Sequence, residues 1–177
     1  MGAEPVASAP AAGAAFMQGM ILHHAQALEM AALMDGRTTD ARMRLLGERI
    51  AVSQRDEIAL MSEWLRARGL AVPEAGAAHA HHAHGEMPGM ASPEQMAELA
   101  TLTGRAFDRR FLSLMIRHHE GALEMVRGVL GASGGAGDGE LFRFASDVDA
   151  DQRAEIRRMQ ALLTQFTSRS ATSRRRP

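Results

Sequence analysis

The chain has 177 residues, enough for one domain with a real core or two small halves sharing one, and 46% of it is hydrophobic, as in a soluble globular protein. Its 20 basic residues, all arginine, are balanced by 21 acidic ones for a net charge of -1, which argues against a general nucleic-acid binder. With no cysteine there is no disulfide, thiolate metal site or cysteine nucleophile, so any soft-metal chemistry must draw on the 13 methionines and 8 histidines.

Residues 1–12 read as a flexible N-terminus. They lack a basic stretch followed by a strongly apolar run, so they are not a signal peptide as they stand, though they could be the remnant of one with Met1 added. No segment approaches the roughly 18 to 20 continuous apolar residues of a membrane-spanning helix. Apolar residues recur with helical spacing, and no run alternates like a half-buried strand. A first helix is predicted over about 13–34, stopped by Gly36, and a second over about 39–68, stopped by Gly69. Together they form one helical hairpin, residues 13–69. Residues 70–91, "LAVPEAGAAHAHHAHGEMPGMA", form a His- and Met-rich linker. The second hairpin, residues 92–168, opens with a capping box in which Ser92 is the N-cap, Pro93 the first helical residue and Gln95 the answering side chain. Gly104 should break or kink this helix, a longer piece should run over about 108–130, and a last helix over about 140–167. The basic end, residues 169–177, reads as a disordered tail.

The two hairpins repeat one another. "MILHHAQALEM" from Met20 returns 95 positions later as "MIRHHEGALEM" from Met115, and "QRDEIALM" from Gln54 returns 98 positions later as "QRAEIRRM" from Gln152. The expected architecture is therefore all-α: a pseudo-symmetric four-helix bundle built from two repeated hairpins in one domain.

At 100° per residue, His23 and His24 share a face with Met20, Ala27, Met30 and Met34, and Glu29 points away. His118 and His119 likewise share a face with Met115, Ala122 and Met125, and Glu124 points out. On the partner helices, Gln54 and Glu57 interrupt one apolar seam and Gln152 and Glu155 the other. Each hairpin is thus expected to bury a polar layer of two histidines facing a Gln and a Glu. A buried carboxylate without a partner is costly, so Glu57 should pair with a histidine of the first pair and Glu155 with one of the second. An imidazole held this way keeps its other nitrogen as a lone-pair donor, the usual arrangement behind a metal-bound histidine. Gln54 and Gln152 are weaker supporting candidates.

One core histidine is more often a hydrogen-bonded polar residue than a ligand. Two adjacent pairs, repeated together with their Gln and Glu partners, shift the balance toward binding. Methionines at these positions would alone be core filling; their interest is that they flank imidazoles. In the linker, His79, His81, His82, His84, Met87 and Met90 lie in a segment too polar to be core, which suggests loose metal capture. No Glu-x-x-His occurs, so a ferritin-type di-iron site is excluded. Zinc gains little from methionine, whereas copper accounts for both ligand types, thioether favouring Cu(I).

"MILHH…ALEMA", "QRDEIALMSEWL", "MPGM", "FDRRFLSLMIRHHEGALEM" and "QRAEIRRMQ" resemble the ferritin-like DUF305 family, a domain-of-unknown-function family that includes CopM-type copper-binding proteins. The resemblance covers about residues 16–163. It implies a helical bundle, secretion or a periplasmic location, and for copper-handling members a part in copper resistance. The second hairpin opens with Phe107 and Asp108 where the first has Ala12 and Gly13, so the first is expected to start less cleanly and its site to be less ordered.

The expected function is a non-enzymatic copper-binding protein of the cell envelope that sequesters copper, Cu(I) or Cu(II), or passes it on, with another copper-handling protein as a candidate partner. Its metal ligands would be His23, His24, His118 and His119, supported by Met20, Met30, Met115 and Met125. No nucleic acid or membrane span enters this reading, and the chain would be a monomer or homodimer. The rivals are a metal-dependent oxidase using the same layers and a bundle whose polar layers only set helix register. Because an ordinary imidazole titrates near pH ~6.5 and a thioether does not titrate in this range, lowering the pH from ~7.5 to ~5 is expected to weaken Cu(II), held mainly by histidine, much more than Cu(I), held partly by methionine.

Overall fold

The computed structural model describes residues 9–74, 87–131 and 138–173, with side chains described for 11–74, 87–131 and 138–168. The elements are α1 (Ala9–Ala32), α2 (Ala41–Ala67), α3 (Pro93–Thr101), α4 (Gly104–Gly131) and α5 (Gly139–Ser173), and no strand occurs among the described residues. The fold is all-α. Four long helices make two antiparallel hairpins, α1 with α2 and α4 with α5, and the hairpins meet chiefly where α1 packs on α4.

Local chemistry sets the helix ends. Asp40 caps α2 by accepting from the Arg42 amide at 2.9 Å. At the other end Gly69 adopts φ 65°. Its amide reaches the Arg66 carbonyl at 3.0 Å, and the Leu70 amide reaches that of Leu65 at 2.9 Å. This is the paired closure a left-handed C-terminal glycine permits. Ser92 and Gln95 form the expected capping box at the start of α3. Gly104, φ 55°, is the break itself, and its amide bonds the Arg37 carbonyl at 2.6 Å in the α1–α2 loop.

Three boundaries differ from expectation. α1 begins at Ala9, ahead of residue 13, and Gly13 lies so near Leu141 and Trp64 that a methyl there would stand 3.0 Å from a Leu141 methyl. At Gly13 the missing side chain lets α1 close on its neighbours. α4 resumes at Gly104 rather than residue 108, and α5 runs on to Ser173.

The core lies in two apolar clusters. One gathers Met30, Met43, Ile50, Phe107, Phe111 and Phe166, and the other Met17, Met20, Met61, Leu65, Val126 and Leu141. Each long helix contributes to both. Between its two contributions each helix places buried polar residues: His23 and His24, Gln54 and Glu57, His118 and His119, Gln152 and Glu155. At mid-height the bundle therefore holds one polar layer to which all four long helices contribute.

Candidate metal centre

Adjacent helical residues point about 100° apart, and here the two histidines of each pair meet different partners. His24 turns toward α2, where its Nε2 bonds the Glu57 carboxylate. His119 turns toward α5 and bonds Glu155 through Nε2 at 2.6 Å. His23 and His118 turn toward each other across the α1–α4 seam, with ring centroids 3.8 Å apart and planes tilted by 36°. The stacked pair joins the polar layers of the two hairpins into one.

The hydrogen bonds define the tautomers. A carbonyl can only accept, so His23 donates Nε2–H to the Pro88 carbonyl at 2.9 Å. His24 and His119 likewise donate Nε2–H to carboxylates. In all three rings Nδ1 is buried with no hydrogen-bond partner, as is Nε2 of His118. Four imidazoles thus each hold one buried, unpartnered ring nitrogen.

Charge cannot be tolerated in the stack. Burial, then the neighbouring His24, holds the His23 imidazole down to about pKa 3. Burial, then His23, pushes His118 well below the ordinary imidazole range. Both rings are neutral throughout the physiological range, which keeps their free lone pairs available to a metal without displacing a proton. Burial thus moves the titration of both rings below the ordinary imidazole range.

The polar layer is richer in unpaired groups than the expected Gln and Glu pairing would leave it. Gln54 has both amide atoms buried without a partner, and Gln152 has its Nε2 so. Neither glutamine bonds a histidine. A buried polar atom left unpaired costs about 1 to 3 kcal/mol, so this layer is a concentrated site of stored cost. No group of three or more His, Asp or Glu side chains poised to hold a metal ion occurs among the described residues. The donors form two His–Glu pairs flanking a stacked His pair rather than a closed carboxylate cage.

The methionines divide. Met20, Met30 and Met115 are fully buried in the apolar clusters, whereas Met87, Met90 and Met125 are half-buried. Glu124 is exposed, but Glu29, expected to point outward, is half-buried. His79, His81, His82 and His84 lie outside the described residues.

Sequence reasoning missed how residues 87–91 lie across α1 and α4. The Gln26 amide bonds both backbone groups of Ala91, donating to its carbonyl at 2.9 Å and accepting from its N–H at 2.7 Å. Arg117 donates to the Met90 carbonyl at 2.9 Å. Gly89, φ 77°, packs on Gly121, where a methyl would fall 1.9 Å from the Pro88 carbonyl oxygen. The available signal was the difference between the two repeated runs: Gln26 and Gly121 occupy the same place in each, and both hold this strap.

Solved structures resemble this architecture over most of their length. A DUF305 fragment from Deinococcus radiodurans shares 37% identity at TM-score 0.74, covering 87% of this chain and 96% of that one. A presumed secreted DUF305 protein from Streptomyces coelicolor shares 32% at TM-score 0.74, covering 90% and 94%. CopM in its Cu(II)-bound form shares 26% at TM-score 0.70, covering 87% and 97%. The chain has no match among curated proteins. The family model described as "Domain of unknown function (DUF305)" matches residues 13–173, and with nearly the whole helical bundle inside that match, the chain belongs to the DUF305 family.

Proposed function

We propose that this is a non-enzymatic copper-handling protein of the cell envelope, which holds copper or passes it on through imidazole and thioether ligands. The observation that carries the reading is the mid-bundle layer of four buried imidazoles, each with an unpartnered ring nitrogen. Glu57, Glu155 and the Pro88 carbonyl orient three of those rings through the other nitrogen, which is how proteins set an imidazole for a metal. His23, His24, His118 and His119 are the central ligands in this reading. Met20 and Met115 stand one turn before the two pairs, and Met30 and Met125 lie beyond them. Residues His79, His81, His82, His84, Met87 and Met90 supply looser capture, and Gln54 and Gln152 line the layer. CopM, 26% identical, has been seen with Cu(II), and the Streptomyces relative supports an extracytoplasmic location. Among the described residues no helix is long and apolar enough to cross a membrane.

The competing reading, a bundle whose polar layer only sets helix register, draws on the lack of a three-ligand His/Asp/Glu cluster among the described residues. Competition titration of Cu(I) and Cu(II) separates the two. The parent is expected to bind tightly, and the His23, His24, His118 and His119 to alanine variant to lose that component while staying helical. Equal affinity in both would support the register reading.

A further inference from the structure

Among the methionines whose side chains are described, Met17, Met20, Met30, Met34, Met43, Met61, Met115 and Met159 are buried in the core, while Met87, Met90, Met96 and Met125 reach the surface in part. Two of these four border the same spot. A methyl placed on Gly19 would stand 3.4 Å from Met125 Cε and 3.8 Å from Met87 Sδ. The two thioether tips therefore flank the one spot on that turn of α1 that carries no side chain, a single turn before His23. The corresponding place in the second repeated run is Leu114. Leu114 is buried in the same apolar cluster as Met30, the counterpart of Met125. One half of the molecule fills this place with leucine, and the other leaves a shelf bordered by sulfur.

Met125 is placed by α4, but Met87 belongs to no helix. It reaches the shelf only because the strap of residues 87–91 is docked by Gln26, by His23 through the Pro88 carbonyl, by Arg117, and by the close approach of Gly89 to Gly121. Thioethers are soft donors that carry no proton in water and favour Cu(I) and similar d10 monovalent ions. Met87 and Met125 are half-buried, whereas the core methionines are enclosed.

We propose that Met87 and Met125 form a thioether subsite for a soft monovalent cation on the α1–α4 seam, assembled by docking of the strap. The inference rests on the copper-handling reading and names the oxidation state, Cu(I), and the surface at which it is received.

The test is calorimetric titration of the full chain with Ag(I), the redox-inert stand-in for Cu(I), in the parent and in Met87→Leu, Met125→Leu, Met96→Leu and Gln26→Leu. The first two are expected to lose the same equivalent, weakened about tenfold or more, and Met96→Leu to titrate as the parent. Gln26→Leu removes no sulfur yet should weaken that equivalent too. Gly121→Ala, which drives the strap off sterically, should repeat the effect if Gln26→Leu fails to fold. Parent-like binding in Met87→Leu or Met125→Leu overturns the subsite, and parent-like binding in folded strap variants overturns its assembly by docking. Loss of Cu(II) binding in the helix-histidine variants alongside unchanged Ag(I) binding in the methionine variants would overturn this inference and leave the copper reading standing. A parent that takes up neither ion would overturn both.

Discussion

His24 and His119 each commit one ring nitrogen to a buried carboxylate, and removal of that carboxylate leaves a donor stranded in the core. Glu57→Ala and Glu155→Ala are each expected to destabilise the fold by about 1 to 3 kcal/mol, read from urea denaturation midpoints. Gln54 offers the contrast. Its amide has no partner for either atom, so Gln54→Leu should be neutral or stabilising by about 1 kcal/mol, since an unpaired polar group gives way to an apolar one. If Gln54→Leu instead destabilised as strongly as Glu57→Ala, the amide would have a bound partner in solution. That these residues face inward was legible from helical periodicity alone. Which histidine of each pair takes the carboxylate was not, because adjacent residues diverge by about 100° and the choice depends on how the hairpins dock. The stacking of His23 on His118 could not be foreseen for the same reason.

At the scale of elements, turn chemistry was the most readable layer. The capping box at Ser92 and the stops at Gly36 and Gly69 follow from residue type. Gly69→Ala forces a side chain onto φ 65° and should cost about 1 kcal/mol, measured as a lowered melting temperature. An unchanged melting temperature would mean the helix end relaxes without the glycine. The strap was not readable in this way. Its anchors are backbone carbonyls, one glutamine amide and a glycine-to-glycine approach, and none of these produces a hydrophobic period. The run "MPGM" stood out as a motif, but only the fold shows that Pro88 meets His23 and that Gly121 makes room for it. The contact of Gly13 with Leu141 and Trp64 is equally silent in the sequence, since it depends on how α1 docks.

Across the whole molecule, the polar layer joins the hairpins and links stability to pH. In the unfolded chain His23 takes up a proton near pH ~6.5; in the folded chain it does so only near about 3, and His118 moves in the same direction. Between those values the unfolded state binds more protons, so stability is full above the upper value and falls as the pH drops through the window. Urea midpoints should decline below pH ~6.5, and the decline should be shallower in a His23→Leu, His118→Leu variant. A parent midpoint flat down to pH ~4 would mean the pair is not buried neutral. The same burial offers the most direct test of copper binding in the layer. Exposed imidazoles are largely protonated at pH ~5, whereas burial holds the His23 imidazole down to about pKa 3 and shifts His118 in the same direction. Competition titration with Cu(II) at that pH, on protein shown to be helical, should retain a tight component in the parent and lose it in the His23→Ala, His118→Ala variant; a parent with no tight component at that pH, or a variant that keeps it, would contradict copper binding by the buried pair.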